Sequence, residues 1–108
     1  MRWSVEYLDS KVEEQIESLS REMRKDFERI VELIKEFGLE EIHAPLIKHL
    51  EGPLWEMRIK DRDGIARAAY ITASRRRVVV VHVFTKKTQK TPRREIEYAL
   101  KRAKEVNP

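Results

Sequence analysis

With 108 residues, an apolar fraction of 41% and no cysteine, the chain has the length of one domain around one core, without disulfides, thiol chemistry or cysteine-ligated zinc. Its net charge of +4 hides a gradient: residues 1–51 hold 8 Lys/Arg against 13 Asp/Glu, whereas residues 75–104 hold 11 against 2. A basic C-terminal third points to a polyanionic partner, because clustered cations release counterions from phosphate, with a solvated basic helix face as the plainer alternative.

No stretch approaches the roughly 18 uninterrupted apolar residues of a membrane span, and MRWSVEYLDS lacks a basic stretch followed by an apolar one. A soluble, cytoplasmic protein is therefore expected. Trp3, Val5 and Tyr7 alternate with polar residues and predict a strand over 2–7. Asp9 or Ser10 then offers a helix cap. Val12, Ile16, Leu19, Met23, Phe27, Ile30, Ile34 and Phe37 recur every three or four residues, which predicts amphipathic helix up to Gly38. Ser20, with Met23 three residues on, favours a helical hairpin broken near Leu19 and Ser20 over one long helix. Residues 38–53 carry Gly38, Pro45, Gly52 and Pro53 and read as an irregular connection anchored by Leu39, Ile42, Leu46, Ile47 and Leu50.

Three strands follow. Residues 54–60 alternate Trp55, Met57 and Ile59 with Glu56, Arg58 and Lys60, and Trp55 and Met57 read as core packing rather than base-stacking groups. Residues 65–73 follow a DRDG turn, and residues 77–84 form a nearly continuous β-branched run suited to the centre of a sheet. Pro92 fits the first turn of a last helix in which Ile96, Ala99, Leu100 and Ala103 share a face. The order β-α-α-β-β-β-α predicts an α+β domain, with helices against one side of a small, mainly antiparallel sheet.

His43, His49 and His82 have no recognised metal spacing, three glycines cannot build a phosphate loop, and no GxSxG marks a nucleophile. No metal and no cofactor are expected, and His82 reads as a satisfied core residue. What remains is a set of cations on or beside strands: Lys48, Arg58, Lys60, Arg67, Lys86, Lys87 and Lys90. RNA cleaves when its 2′-oxygen attacks the adjacent phosphate. That reaction needs proton transfer and stabilisation of a crowded anion, which Lys and Arg can supply without metal. Structural ion pairs for Arg58 and Arg67, and a merely soluble lysine loop, are the competing readings. Tyr70 is left open between stacking a base and covering the sheet. The basic last helix is likewise open between binding ribosomal RNA and solvation.

The stretches LEGPLWEMRIKDRDGIARAAYI and RVVVVHVFTKKTQKTPRREIEYALKRAKE resemble the RelE/ParE toxin superfamily, in particular its phage-derived HigB-like branch. The pattern is L-x-G-x-L-W/Y-E-x-R, an Arg followed by a Tyr in the next strand, and H-x-F-x-K-K-T-x-K-T-P entering a helix with E-I-x-x-A. The resemblance covers essentially the whole chain. It implies a RelE-like fold and the toxin role of a type II toxin–antitoxin system, with ribosome-dependent mRNA cleavage. The implied partners are mRNA, the ribosome and a cognate antitoxin with a helix-turn-helix DNA-binding domain. On the matching positions, Arg67, Lys86 and Lys87 take catalytic roles, and Lys48, Arg58, Tyr70 and Lys90 contact RNA. The C-terminal Tyr or His often used by the RelE branch has no evident equivalent, since Tyr98 lies within the last helix. A ParE-like gyrase inhibitor, and an inactive RNA- or protein-binding relic, are the alternatives that share the fold.

Overall fold

The computed structural model describes residues 2–86 and 89–108 of the chain. Strand β1 (Ser4–Tyr7) leads into helices α1 (Ser10–Glu17) and α2 (Arg21–Phe37), and a 3-10 turn (Leu39–Glu41) leads to strands β2 (Ile47–Glu51), β3 (Leu54–Asp61), β4 (Gly64–Ala73) and β5 (Arg77–Lys86). Helix α3 (Arg93–Ala103) follows. The expected helical hairpin forms where the sequence places it. Asp9 accepts a hydrogen bond from the Val12 N–H and Ser20 from the Met23 N–H, so each helix starts at its own cap. The Ser20 hydroxyl also donates to Asp61 Oδ2 at 2.7 Å, and Asp26 accepts from the Lys60 N–H at 3.0 Å, fastening α2 along β3.

The sheet runs β1-β5-β4-β3-β2, with β1 parallel to β5 and every other pair antiparallel. The connection expected over 38–53 contains a strand the sequence reading missed: β2 pairs with β3 (Ile47↔Met57, His49↔Trp55), and Gly52 at φ 54° turns the chain into β3.

Helices cover both faces of the sheet, which corrects the expectation of one. On the first face Met57, Ile59, Ala68, Tyr70, Val78 and Val80 pack against Val12, Phe27, Ile30 and Ile34 of α1 and α2. On the second, Leu54, Ala69, Val79, Val81 and Phe84 pack against Ala99, with Ile96 and Leu100 at the edge. The reason lies in β5: a strand apolar on both sides needs cover on both.

The β4–β5 ladder shifts register between Ala69↔His82 and Tyr70↔Val80, leaving Val81 between partners. This bulge reverses the alternation of β5. Before it, Val78 and Val80 face α1 and α2; after it, Val83 does so, and Phe84 turns to the second face. Lys86, two residues beyond Phe84, turns the same way.

His82 is buried between α1, β5 and α3, in keeping with the reading of it as a core residue. Gln15 Oε1 accepts from the Val83 N–H, so the Gln15 amide group faces His82 Nδ1 at 3.3 Å and donates to it. The neutral ring then donates from Nε2 to Glu95 at 3.3 Å, with the Tyr98 ring edge-on at 4.7 Å. Burial, with smaller contributions from Arg102 and Lys11, outweighs Glu95 and holds the His82 pKa below its ordinary 6.5. The unfolded chain therefore takes up this proton first as pH falls, and stability should drop below about pH 6.5. Urea unfolding at pH 7 and pH 5.5 should show a larger loss for wild type than for His82→Gln; equal losses would contradict it.

Candidate nucleic-acid interface

Alternation along β3 puts Glu56 and Arg58 on the second face, opposite Ala69 and Arg67 of β4. Lys48 of β2 lies opposite Glu56, and the bulge brings Lys86 to the same side. Four of the expected cations, Lys48, Arg58, Arg67 and Lys86, thus converge around one spot.

At its centre is a residue the sequence reading did not single out. Glu56 is 1% exposed, and its carboxylate lies 2.8 Å from Arg67 Nε and 3.9 Å from Lys86 Nζ. The contact with Arg67 lacks the alignment of a hydrogen bond and is an ion pair. Thr91 Oγ1 donates to Glu56 Oε1 at 2.7 Å and accepts from Lys86 Nζ at 3.1 Å, while Lys86 also donates to the Gln89 carbonyl. Thr91 thereby ties the segment entering α3 to the strands. The signal for Glu56 was legible: strand alternation sets it beside Arg58 on the cationic face.

Arg58 and Arg67 face each other across the ladder, a juxtaposition of like charges that is unfavourable unless an anion sits between them. One carboxylate does not neutralise four cations. Burial lowers the Lys86 pKa from its ordinary 10.5; Glu56 opposes this, while Arg67, Lys48 and Arg58 add to it. Burial similarly lowers that of Arg67. Lys48, Glu56, Arg58, Arg67 and Gln89 line a pocket of about 260 Å³, and Arg58 Nε is buried on its wall with no hydrogen-bond partner among the described residues. A donor without an acceptor beside an excess of positive charge is a setting suited to an anion.

The other expected residues fall elsewhere. Tyr70 is 1% exposed on the opposite face, in the core beneath the helical hairpin, so it does not join the cations. Lys90 is exposed on the segment between β5 and α3, and Lys60 is exposed near the end of β3. Lys87 lies outside the described residues. Tyr98 sits against His82 and accepts a hydrogen bond from Lys11 at 2.8 Å, which places it in the packing of α3. Met57 is fully buried as expected, but Trp55 is 37% exposed and is not simply core.

Among the described residues no helix is long and apolar enough to cross a membrane, and no three His, Asp or Glu side chains cluster as metal ligands. No curated protein sequence matches the chain. Residues 14–104 match the family model described as Phage derived protein Gp49-like (DUF891), a span that holds β2 to β5, α3 and every residue of the Glu56 cluster. The chain accordingly belongs to the Gp49-like family of phage-derived proteins.

Proposed function

We propose that this chain is the toxin of a type II toxin–antitoxin pair and cleaves mRNA on the ribosome without metal. The observation that carries the reading is the convergence of Lys48, Arg58 and Arg67 on a small pocket whose wall includes buried Glu56, with Lys86 Nζ buried 3.9 Å from that carboxylate. A phosphodiester entering there meets Arg58 and Arg67, which offset the charge that builds up when the 2′-oxygen attacks phosphorus. Lys86, whose burial favours the neutral amine, takes the 2′-hydroxyl proton as the P–O2′ bond forms and the P–O5′ bond breaks, the departing 5′-oxygen takes its proton from water, and Glu56 holds Arg67 and Lys86 in place. Lys87 takes the catalytic role that the sequence pattern implies for it, and Lys90 adds contacts to the RNA backbone. The partners are mRNA, the ribosome and an antitoxin with a helix-turn-helix domain, and the place of action is the cytoplasm, where ribosomes are found. Membership of the Gp49-like family and the RelE/HigB-like sequence pattern support the toxin role.

Induced expression in a test bacterium should arrest growth and produce new 5′ ends within translated messages. Both should be lost in a folded Arg67→Gln variant. Growth arrest with intact mRNA and inhibited supercoiling would replace this reading with a gyrase inhibitor, and absence of arrest would leave an inactive relic.

A further inference from the structure

On the face of the sheet opposite the cations lies a second, larger cavity of about 610 Å³, within the range of roughly 300–1,000 Å³ that small-molecule sites occupy. Its walls are rich in rings. Both tryptophans of the chain, Trp3 and Trp55, line it, together with His43 and His49, and Tyr70 forms part of its buried base. The two indoles are held by neighbours on the same lining. Trp3 Nε1 donates to Glu40 Oε1 at 3.2 Å, and Gly38, at φ 92°, leaves room for that carboxylate where a Cβ would collide with it. The His49 ring lies 5.0 Å from that of Trp55 at 59° and is itself fixed at 2.7 Å to the Gly52 carbonyl.

The decisive feature is a shared wall. Ala44, Ile47 and Lys48 line both this cavity and the cationic pocket, so only the edge of the sheet at β2 separates the two. We infer that the Trp3–Trp55 cavity is a nucleobase subsite: it takes one unstacked base of single-stranded RNA whose backbone crosses the β2 edge at Lys48 into the cationic pocket. A base presents a π-face to a ring of the lining and carries the phosphate that Lys48 would meet. An aliphatic side chain of a protein partner would fill the space but offer no π-face to the rings of the lining. Thr72 and His43, on the same lining, can read the base edge.

The inference rests on the reading of the chain as an RNA-binding toxin, but its test needs no cleavage. Because both tryptophans line the cavity, their fluorescence reports directly on its occupancy. A short single-stranded RNA made uncleavable by 2′-deoxy sugars should quench that fluorescence, and an abasic strand of equal length should bind about five-fold to a hundred-fold more weakly without quenching. Trp55→Ala should bring the base-containing strand down to the affinity of the abasic one, and Trp55→Phe should restore most of the difference. The first comparison uses wild-type protein alone, so it holds even if Trp55→Ala does not fold. Equal binding of the two strands would overturn the subsite, whether or not the chain cleaves mRNA. So would quenching by an acidic, apolar peptide where the oligonucleotide produces none, which would make the cavity a protein-docking surface.

Discussion

Replacing Glu56 by alanine is expected to cost about 3–5 kcal/mol of folding stability. Glu56 is 1% exposed, and Arg67 and Lys86, only 7% and 8% exposed, depend on it for their nearest negative charge. Removing it leaves two buried cations facing Arg58 without an anion, and the Thr91 hydroxyl without its acceptor. Glu56→Gln keeps an oxygen for Thr91 and should lose less. A triple change of Glu56, Arg67 and Lys86 to methionine should be milder than Glu56→Ala, because no charge is then stranded. Equilibrium urea unfolding measures all three, and a loss for Glu56→Ala below about 1 kcal/mol would mean that the carboxylate does not stabilise the cluster.

The second large effect is on activity. Lys86→Gln should lower the rate of mRNA cleavage by about 10²–10³-fold, the usual result of removing a group that serves the transition state directly. The direction of its pKa shift gives a second readout. Since burial moves the Lys86 pKa below 10.5, the wild-type rate should rise with pH to an inflection below that of a free lysine. Lys86→Arg remains charged throughout this range and should lose the rising limb while retaining RNA binding. A rate independent of pH in wild type would remove Lys86 from the proton transfer and leave it an electrostatic role only.

Much of the scaffold was legible in the sequence because its signals are local. Ser20 and Asp9 cap the helices as their positions suggest, and the alternation in LWEMRIK assigns Met57 and Ile59 to one face and Glu56 and Arg58 to the other. Strand β2 was missed because five residues between Pro45 and Gly52 make too short a pattern, and its pairing with β3 is a tertiary fact. The second layer was foreshadowed by β5, whose valines are buried on both sides, but which helix covers which face depends on chain path. The bulge at Val81 has no sequence signature in a run of four valines. Counting by twos from Val78 would send Lys86 to the wrong face, away from Arg67.

The candidate site was legible in its cations, whereas for its anion alternation gave the face and not the role. Positive residues were counted as a set because they share a sign, whereas Glu56 carries the opposite one and gains its role from distances of 2.8 and 3.9 Å to residues eleven and thirty positions away. Tyr70 illustrates the converse. It follows Arg67 closely in sequence, but odd and even positions on β4 face opposite ways, so the two side chains point to different layers. Trp55, read as core from its alternation with charged residues, lies on the predicted face but near the uncovered edge at β2, where alternation gives no measure of exposure.

The central claim, that the cations around Glu56 promote attack of a 2′-oxygen on phosphorus, is tested most directly by the chemistry of the cut ends. Purified wild-type chain, incubated with ribosomes programmed with a defined mRNA, should leave a 2′,3′-cyclic phosphate on the upstream fragment and a 5′-hydroxyl on the downstream one. A 2′-deoxy sugar at the cut position should abolish cleavage, and Lys86→Gln should suppress it. An intact message, or fragments ending in a 3′-hydroxyl and a 5′-phosphate, would contradict the account.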